Sequence, residues 1–193
     1  MHEEYCLKAL NNNKNVLVEK PITNNLTSLN KINKLFLEKN LLLEEGTANK
    51  YNPFYNKALK IINKIDYSKI LKIKSSFGND ALGGKKIFGI RLKRVNYNKR
   101  IFNKQLHGGS ILDGGIYPIS LIIDIFNMHN KNFIENLKII NCKKKVSNDI
   151  DLSSSLELLM DTIKIELKTS LIEKLNNNLE IHMKDEIIKL NDI

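Results

Sequence analysis

Residues 16–46 constrain this chain most, because they read as strand, helix and strand, the order of a parallel crossover. Val16-Leu17-Val18 is a short apolar run of the buried-strand type, and Glu19-Lys20-Pro21 ends it, since proline has no N–H to give a sheet ladder. Thr23 or Asn24 then caps a helix whose apolar positions Leu26, Leu29, Ile32, Leu35 and Phe36 recur at intervals of three and four. Leu41 to Glu45 is the second strand, closed by Gly46. Two strands are not stable alone, so this unit has to belong to a larger parallel sheet. Ahead of it, Glu3 to Leu10 reads as a helix already under way at its first residues.

The texture changes after Gly46. Asn52-Pro53 predicts an N-cap and a first-turn proline, opening a helix through Tyr55, Leu59, Ile61 and Ile62. Leu71 to Phe77 alternates as a half-buried strand does. Gly78 to Gly109 is a long irregular stretch that holds all three arginines, Arg91, Arg94 and Arg100. Ile111 to Phe126 predicts a buried helix despite Gly114, Gly115 and Pro118 near its start. From Phe133 onward the period is two, in segments 137–142, 156–160, 163–171, 179–183 and 187–190, which predicts an antiparallel meander.

Composition removes several classes. Cys6 and Cys142 are too few for a disulfide framework or a four-cysteine zinc site, so no metal is expected. No apolar run approaches membrane length, and Met1 to Leu10 lacks the order of a secretion signal, so a cytoplasmic protein with no membrane partner is expected. The net charge is +10, but lysine supplies 28 of the 31 basic residues and arginine only 3. Lysine, asparagine and isoleucine together make 82 of the 193 residues, the mark of an AT-rich coding bias. A nucleic-acid surface would use more arginine, so the charge reads as solvated surface with no nucleic-acid partner, and a polyanion-binding role is the rival reading.

Two patches could carry chemistry. Glu19-Lys20-Pro21 falls at the carboxyl end of a strand, where open α/β sheets bind ligands, although a lone lysine among 28 also reads as plain surface. The second is His107-Gly108-Gly109-Ser110-Ile111-Leu112-Asp113-Gly114-Gly115-Ile116-Tyr117-Pro118. Its glycines let backbone approach a ligand, and Asp113 and Tyr117, four apart, share a helix face. A tyrosine beside a lysine ammonium can give or take a proton. An aspartate capping a turn and a tyrosine packed in a core is the competing reading.

Taken together, His2, Ala9-Leu10, Val16 to Ile22, Glu45-Gly46-Thr47, Tyr51-Asn52-Pro53, Arg100-Ile101-Phe102 and the block from Leu106 to Pro118 closely resemble the Gfo/Idh/MocA oxidoreductases. Tyr117 in place of histidine is similar to the dihydrodiol and aldose dehydrogenase branch. The resemblance implies an α/β plus α+β fold: the C-terminal remnant of a Rossmann-type parallel sheet (1–46), then a mostly antiparallel open sheet packed with helices (47–193). It implies NAD or NADP as cofactor and hydride transfer to or from a sugar-like or cyclic alcohol or carbonyl. By that resemblance Lys20, Tyr117 and Asp113 are catalytic, and Glu19, Lys20 and Pro21 border the cofactor. Asp113, Tyr117, Arg100 and Tyr51 face the substrate, and the antiparallel sheet joins protomers into a homo-oligomer.

One part of the family pattern is missing. Members open with a strand, a Gly-x-Gly-x-x-Gly turn and a helix that hold the pyrophosphate, and no such turn occurs in these 193 residues. Members also continue past the position of Ile193. A fragment or split form, inactive alone, is therefore expected. The alternative is a non-catalytic remnant that serves as an oligomerisation or partner-binding module.

Overall fold

A computed structural model describes residues 2–83, 86–87, 90–129 and 133–191. It divides into two units, Met1–Ala48 and Asn49–Ile193.

In the first unit, α1 (His2–Asn11) leads into β1 (Val16–Glu19), α2 (Leu26–Glu38) and β2 (Leu43–Gly46). The strands pair in parallel with Val16 opposite Leu43 and Glu19 opposite Gly46, which brings both carboxyl ends side by side. Asn25, one or two residues later than expected, is the cap of α2: its side-chain oxygen accepts the Ser28 N–H at 2.8 Å. Cys6 and Leu10 from α1, Ile22, and Ile32 and Phe36 from α2 form the core, with Val16, Val18 and Leu43 against it. Burial pushes the Cys6 thiol up, so this cysteine packs rather than reacts. β1 is not buried on both sides as its apolar run implied. Both helices cover the face of Val16 and Val18, while Leu17 remains 72% exposed.

In the second unit, α3 (Pro53–Ile62) starts at Asn52, whose side chain accepts the Phe54 N–H at 2.9 Å. β3 (Ile70–Gly78) follows, then a small hairpin of β4 (Lys86–Ile87) and β5 (Ile90–Arg91) within the stretch expected to be irregular. Ile111–Gly115 is a π-helical turn that runs straight into α4 (Ile116–His129), followed by the short α5 (Phe133–Asn136). The expected five strands are all present: β6 (Leu137–Ser147), β7 (Ile150–Met160), β8 (Ile163–Ser170), β9 (Asn178–Met183) and β10 (Ile187–Asn191).

They do not form a simple meander. The six-stranded sheet has the order β10-β9-β3-β8-β7-β6, so β3 enters between β8 and β9, parallel to the first and antiparallel to the second. The link from β8 to β9 therefore has to pass the end of β3, and Gly78 makes room for it. A Cβ there would lie 2.7 Å from Leu175 Cγ, and Gly78 exchanges hydrogen bonds with Leu175 N–H and Asn177 Oδ1. One face of the sheet is apolar, with Ile73, Ile165, Leu167, Leu179 and Ile181 packed under Leu121, Ile122, Ile125 and Phe126 of α4. The helical stretch Lys104–His129 is long and apolar enough by composition to cross a membrane, yet 56% of its apolar window is buried in the protein, as the core helix of this unit.

Candidate active site

The first unit sets Glu19, Lys20 and Pro21 at the carboxyl end of β1. The Lys20–Pro21 peptide bond is cis. Glu45, on β2, fastens the chain that follows: its carboxylate accepts the Ile22 N–H at 3.1 Å and the Thr47 hydroxyl at 3.0 Å. A ring nitrogen of His2 lies 2.9 Å from the Pro21 carbonyl oxygen. Sequence reasoning took Glu45 only as the last residue of a strand; its place opposite Val18 in the ladder is what lets it reach Ile22. At Gly46 a Cβ would stand 3.2 Å from the Val18 carbonyl oxygen, so this strand end is pared down to backbone. Glu19 to Pro21 and Gly46 lie at adjacent carboxyl ends of parallel strands, the usual place for a ligand in open α/β sheets. It has no phosphate cradle, because the glycine-rich turn is absent from the sequence.

The second unit joins Arg100 to Asp113, with Tyr117 four residues further along the same helical stretch. Arg100 sits on a short 3₁₀ turn, Arg100–Phe102, and its guanidinium is ion-paired and hydrogen-bonded to Asp113. Such a charge-assisted pair fixes the carboxylate more firmly than a neutral contact does. Asp113 lies on the π-helical turn and Tyr117 on the first turn of α4, where its ring packs on Phe77 with centroids 4.3 Å apart. Single π turns interrupting α-helices are rare and gather at functional sites. Both side chains are half-buried, so neither the capping nor the core reading fully describes them. Tyr51 is 68% exposed on the turn Ala48–Tyr51.

What holds this helix start is a residue that sequence reasoning missed. One carboxylate oxygen of Asp151, on β7, accepts the Ser110 hydroxyl at 2.7 Å, the Ile111 N–H at 2.8 Å and the Ser154 hydroxyl at 3.0 Å. From β8, Thr169 donates to the Ser110 carbonyl at 2.7 Å. Ser110 is fully buried, so each of these bonds replaces one that water would have made. The glycines serve the same anchor. Gly109 has φ +129, and a Cβ there would come within 2.2 Å of Asp151 Oδ1; at Gly108 it would come within 2.5 Å of the Ile101 carbonyl oxygen. Thus Gly109 lets the backbone approach a carboxylate of its own sheet, and Gly108 lets it approach the carbonyls of the Arg100–Phe102 turn. Asp151 lies ahead of the strand expected at 156–160, because β7 starts six residues earlier, at Ile150; the available signal was an aspartate just before Ser153-Ser154-Ser155.

Beside Tyr117 lies a cavity of about 10 Å³, lined by Asn49, Ser75, Phe77 and Pro118 among others. That is the room of one water molecule and not a substrate pocket. Asn49 donates to the Ser120 hydroxyl at 3.3 Å. One turn further along α4, Asp124 accepts the Tyr55 hydroxyl at 2.7 Å and pairs with Lys50 at 3.0 Å. Burial, then the bond to Asp124, push the Tyr55 phenol far above its ordinary range, which makes it a fixed donor. No group of three or more histidine, cysteine, aspartate or glutamate side chains suited to a metal ion occurs among the described residues.

The profile of the Gfo/Idh/MocA family, described as an oxidoreductase family with an NAD-binding Rossmann fold, matches residues 1–47. The trans-1,2-dihydrobenzene-1,2-diol dehydrogenase of Xenopus tropicalis is 24% identical over 127 residues, 66% of this chain and 34% of the relative. The chain is similar to the Gfo/Idh/MocA oxidoreductases, by that profile over residues 1–47. The Danio rerio enzyme of the same name is 25% identical over 126 residues, 65% of this chain and 34% of the relative. Among solved structures of similar fold is a 3-ketoreductase from Actinomadura kijaniata in complex with NADP and TDP-benzene, with a TM-score of 0.79 at 19% identity over 100% of this chain and 54% of the other. An aldose-aldose oxidoreductase from Caulobacter crescentus, complexed with glycerol, reaches a TM-score of 0.79 at 14% identity over 98% of this chain and 53% of the other. The chain therefore spans about a third of the length of the dehydrogenases it matches and about half of the solved chains.

Proposed function

We propose that this chain supplies the substrate-facing half of an NAD(P)-dependent oxidoreductase that interconverts a sugar-like or cyclic alcohol and its carbonyl. Residues 1–46 act as the end of a dinucleotide-binding domain and residues 47–193 as the substrate domain. When bound, the nicotinamide supplies or takes up the hydride. Glu19, Lys20 and Pro21 border it at the strand tips. Lys20 orients the reacting oxygen, Tyr117 gives or takes the hydroxyl proton, and Asp113 accepts hydrogen bonds from substrate hydroxyls. Arg100 fixes Asp113, and Tyr51 lies toward the substrate.

The observation that carries this reading is the anchored helix start: side chains from two strands, β7 and β8, hold Ser110, and Arg100 holds Asp113, which are demands that a mere cap does not make. A proton-transferring group needs such fixed geometry, and general acid–base catalysis then contributes a factor of about 10²–10⁴. Because the pyrophosphate cradle is absent from the sequence, turnover requires a strand, Gly-x-Gly-x-x-Gly turn and helix from another segment. The test is nicotinamide binding followed by fluorescence, with and without a polypeptide carrying that unit. Binding only in its presence, with turnover that Lys20→Ala lowers by about 10² or more, supports the proposal. Turnover unchanged by Lys20→Ala overturns it.

A further inference from the structure

Lys20 stands just past the end of a sheet ladder. β1 stops at Glu19 and α2 begins at Leu26, so the backbone from Lys20 to Asn25 belongs to no helix or strand. A lysine carries its ammonium on a flexible four-carbon stem, and a stem rooted in a loose loop would sweep a wide volume. Side chains from the neighbouring elements root it here.

Pro21 has no N–H, so its carbonyl is the one backbone group by which it can be held. That carbonyl lies 2.9 Å from Nδ1 of His2, the first residue of α1. A carbonyl oxygen only accepts, so the ring nitrogen is the donor. The next backbone group, the Ile22 N–H, donates to Glu45 Oε1 at 3.1 Å. Glu45 Oε2 accepts the Thr47 hydroxyl at 3.0 Å, and the buried Thr47 also donates its N–H to the Glu45 carbonyl at 2.8 Å. Between these two fastenings the Ile22 side chain enters the core beside Cys6 and Leu10. Glu44 makes the contrast. One residue earlier on β2, it is exposed to water, whereas Glu45 is half-buried with both carboxylate oxygens engaged, the condition on which a carboxylate leaves water cheaply.

We infer that His2 and Glu45 are positioning residues for Lys20, fixing the turn that carries its ammonium at the strand tip. Both act through the backbone of Pro21 and Ile22. The inference rests on the proposed role of Lys20 and adds two residues to it. What the turn requires is one donor and one acceptor in place, not an imidazole or a negative charge. His2→Asn keeps an N–H donor near the place of Nδ1, and Glu45→Gln keeps an oxygen for the Ile22 N–H. His2→Ala and Glu45→Ala keep neither.

The first readout is spectroscopic and uses the full chain alone. Its lysines are dimethylated with ¹³C, and the Lys20 methyl signal is identified by its absence in Lys20→Arg. His2→Ala and Glu45→Ala are expected to move that signal to the position of exposed lysines, while His2→Asn and Glu45→Gln leave it in place. Asn25→Ala weakens the same unit through a side chain that bonds Asn24 and Ser28, and it should leave the signal unmoved. The second readout is turnover by the chain complemented with a Gly-x-Gly-x-x-Gly unit. There kcat is expected to fall about tenfold to about a hundredfold in the two alanine variants, with KM within about threefold, and to recover in the conservative pair. A Lys20 signal that neither alanine variant moves, or that Asn25→Ala moves as far, overturns the inference, as does a kcat that the conservative variants fail to restore. Turnover unchanged by Lys20→Ala, with the signal moving as expected, overturns the proposed function and leaves the fastening of the turn standing.

Discussion

The two units answer the same problem, covering a sheet, in different ways. The first has two parallel strands with both helices on one face, and it leaves Leu17 and Leu42 72% exposed. The second has six strands, an apolar face packed beneath α4 and a charged face opposite. A two-stranded parallel sheet has little ladder and a small core, so the first unit is the weaker of the two. The difference teaches where each kind of information resides. The first unit owes its form to local signals, while the second depends on contacts made far apart in the chain.

The largest effects test that division. Phe36→Ala and Phe126→Ala each empty a fully buried aromatic site, at about 3–5 kcal/mol. Hydrogen exchange should show the first loosening residues 2–48 and the second loosening the large sheet; one common transition for both would break the comparison. Next comes the anchor. Asp151→Ala leaves the Ser110 and Ser154 hydroxyls and the Ile111 N–H without their acceptor, at about 2–4 kcal/mol of the second unit's stability in denaturant titration. Gly109→Ala meets the same carboxylate from a left-handed φ and costs about 1–3 kcal/mol. A melting curve unmoved by either variant would remove the anchor from the account.

Smaller effects sharpen the contrast. Asn25→Ala removes the α2 cap and should cost about 1 kcal/mol, confined to the first unit. In the second unit, partial burial pushes the Glu180 carboxyl up, but hydrogen bonds from His182 and Lys189 and the nearby Lys74 outweigh it, leaving the carboxyl below its ordinary range. A carboxyl lowered on folding contributes stability that is complete above its unfolded value and lost as pH falls through the folded one. Glu180→Gln should therefore destabilise by under about 1 kcal/mol at neutral pH and have no effect well below pH 4. A variant effect that grows on acidification would contradict the sign.

Much of this was legible in the sequence, for physical reasons that differ by region. Pro21, Gly46 and the threefold-and-fourfold spacing from Leu26 to Phe36 are local signals, and they placed the crossover correctly. Period-two runs placed the last five strands. Strand order was not legible, because β3 and β8 lie about 90 residues apart and their pairing rests on Ile73 and Ile165 sharing one core. At the site, the spacing of Asp113 and Tyr117 was visible but their anchor was not: Asp151 acts across 41 positions on Ser110.

The central claim is that Tyr117 serves proton transfer and is not a packing residue. The direct measurement is NADPH oxidation by this chain, complemented with a polypeptide bearing a Gly-x-Gly-x-x-Gly unit, over a panel of aldoses and cyclic diol-derived carbonyls. Wild type and Tyr117→Phe are compared, with Phe77 leaving the ring packing intact in both. The account predicts a turnover number about 10²–10⁴ lower for the variant at an unchanged melting temperature. Turnover by Tyr117→Phe equal to that of wild type would contradict it.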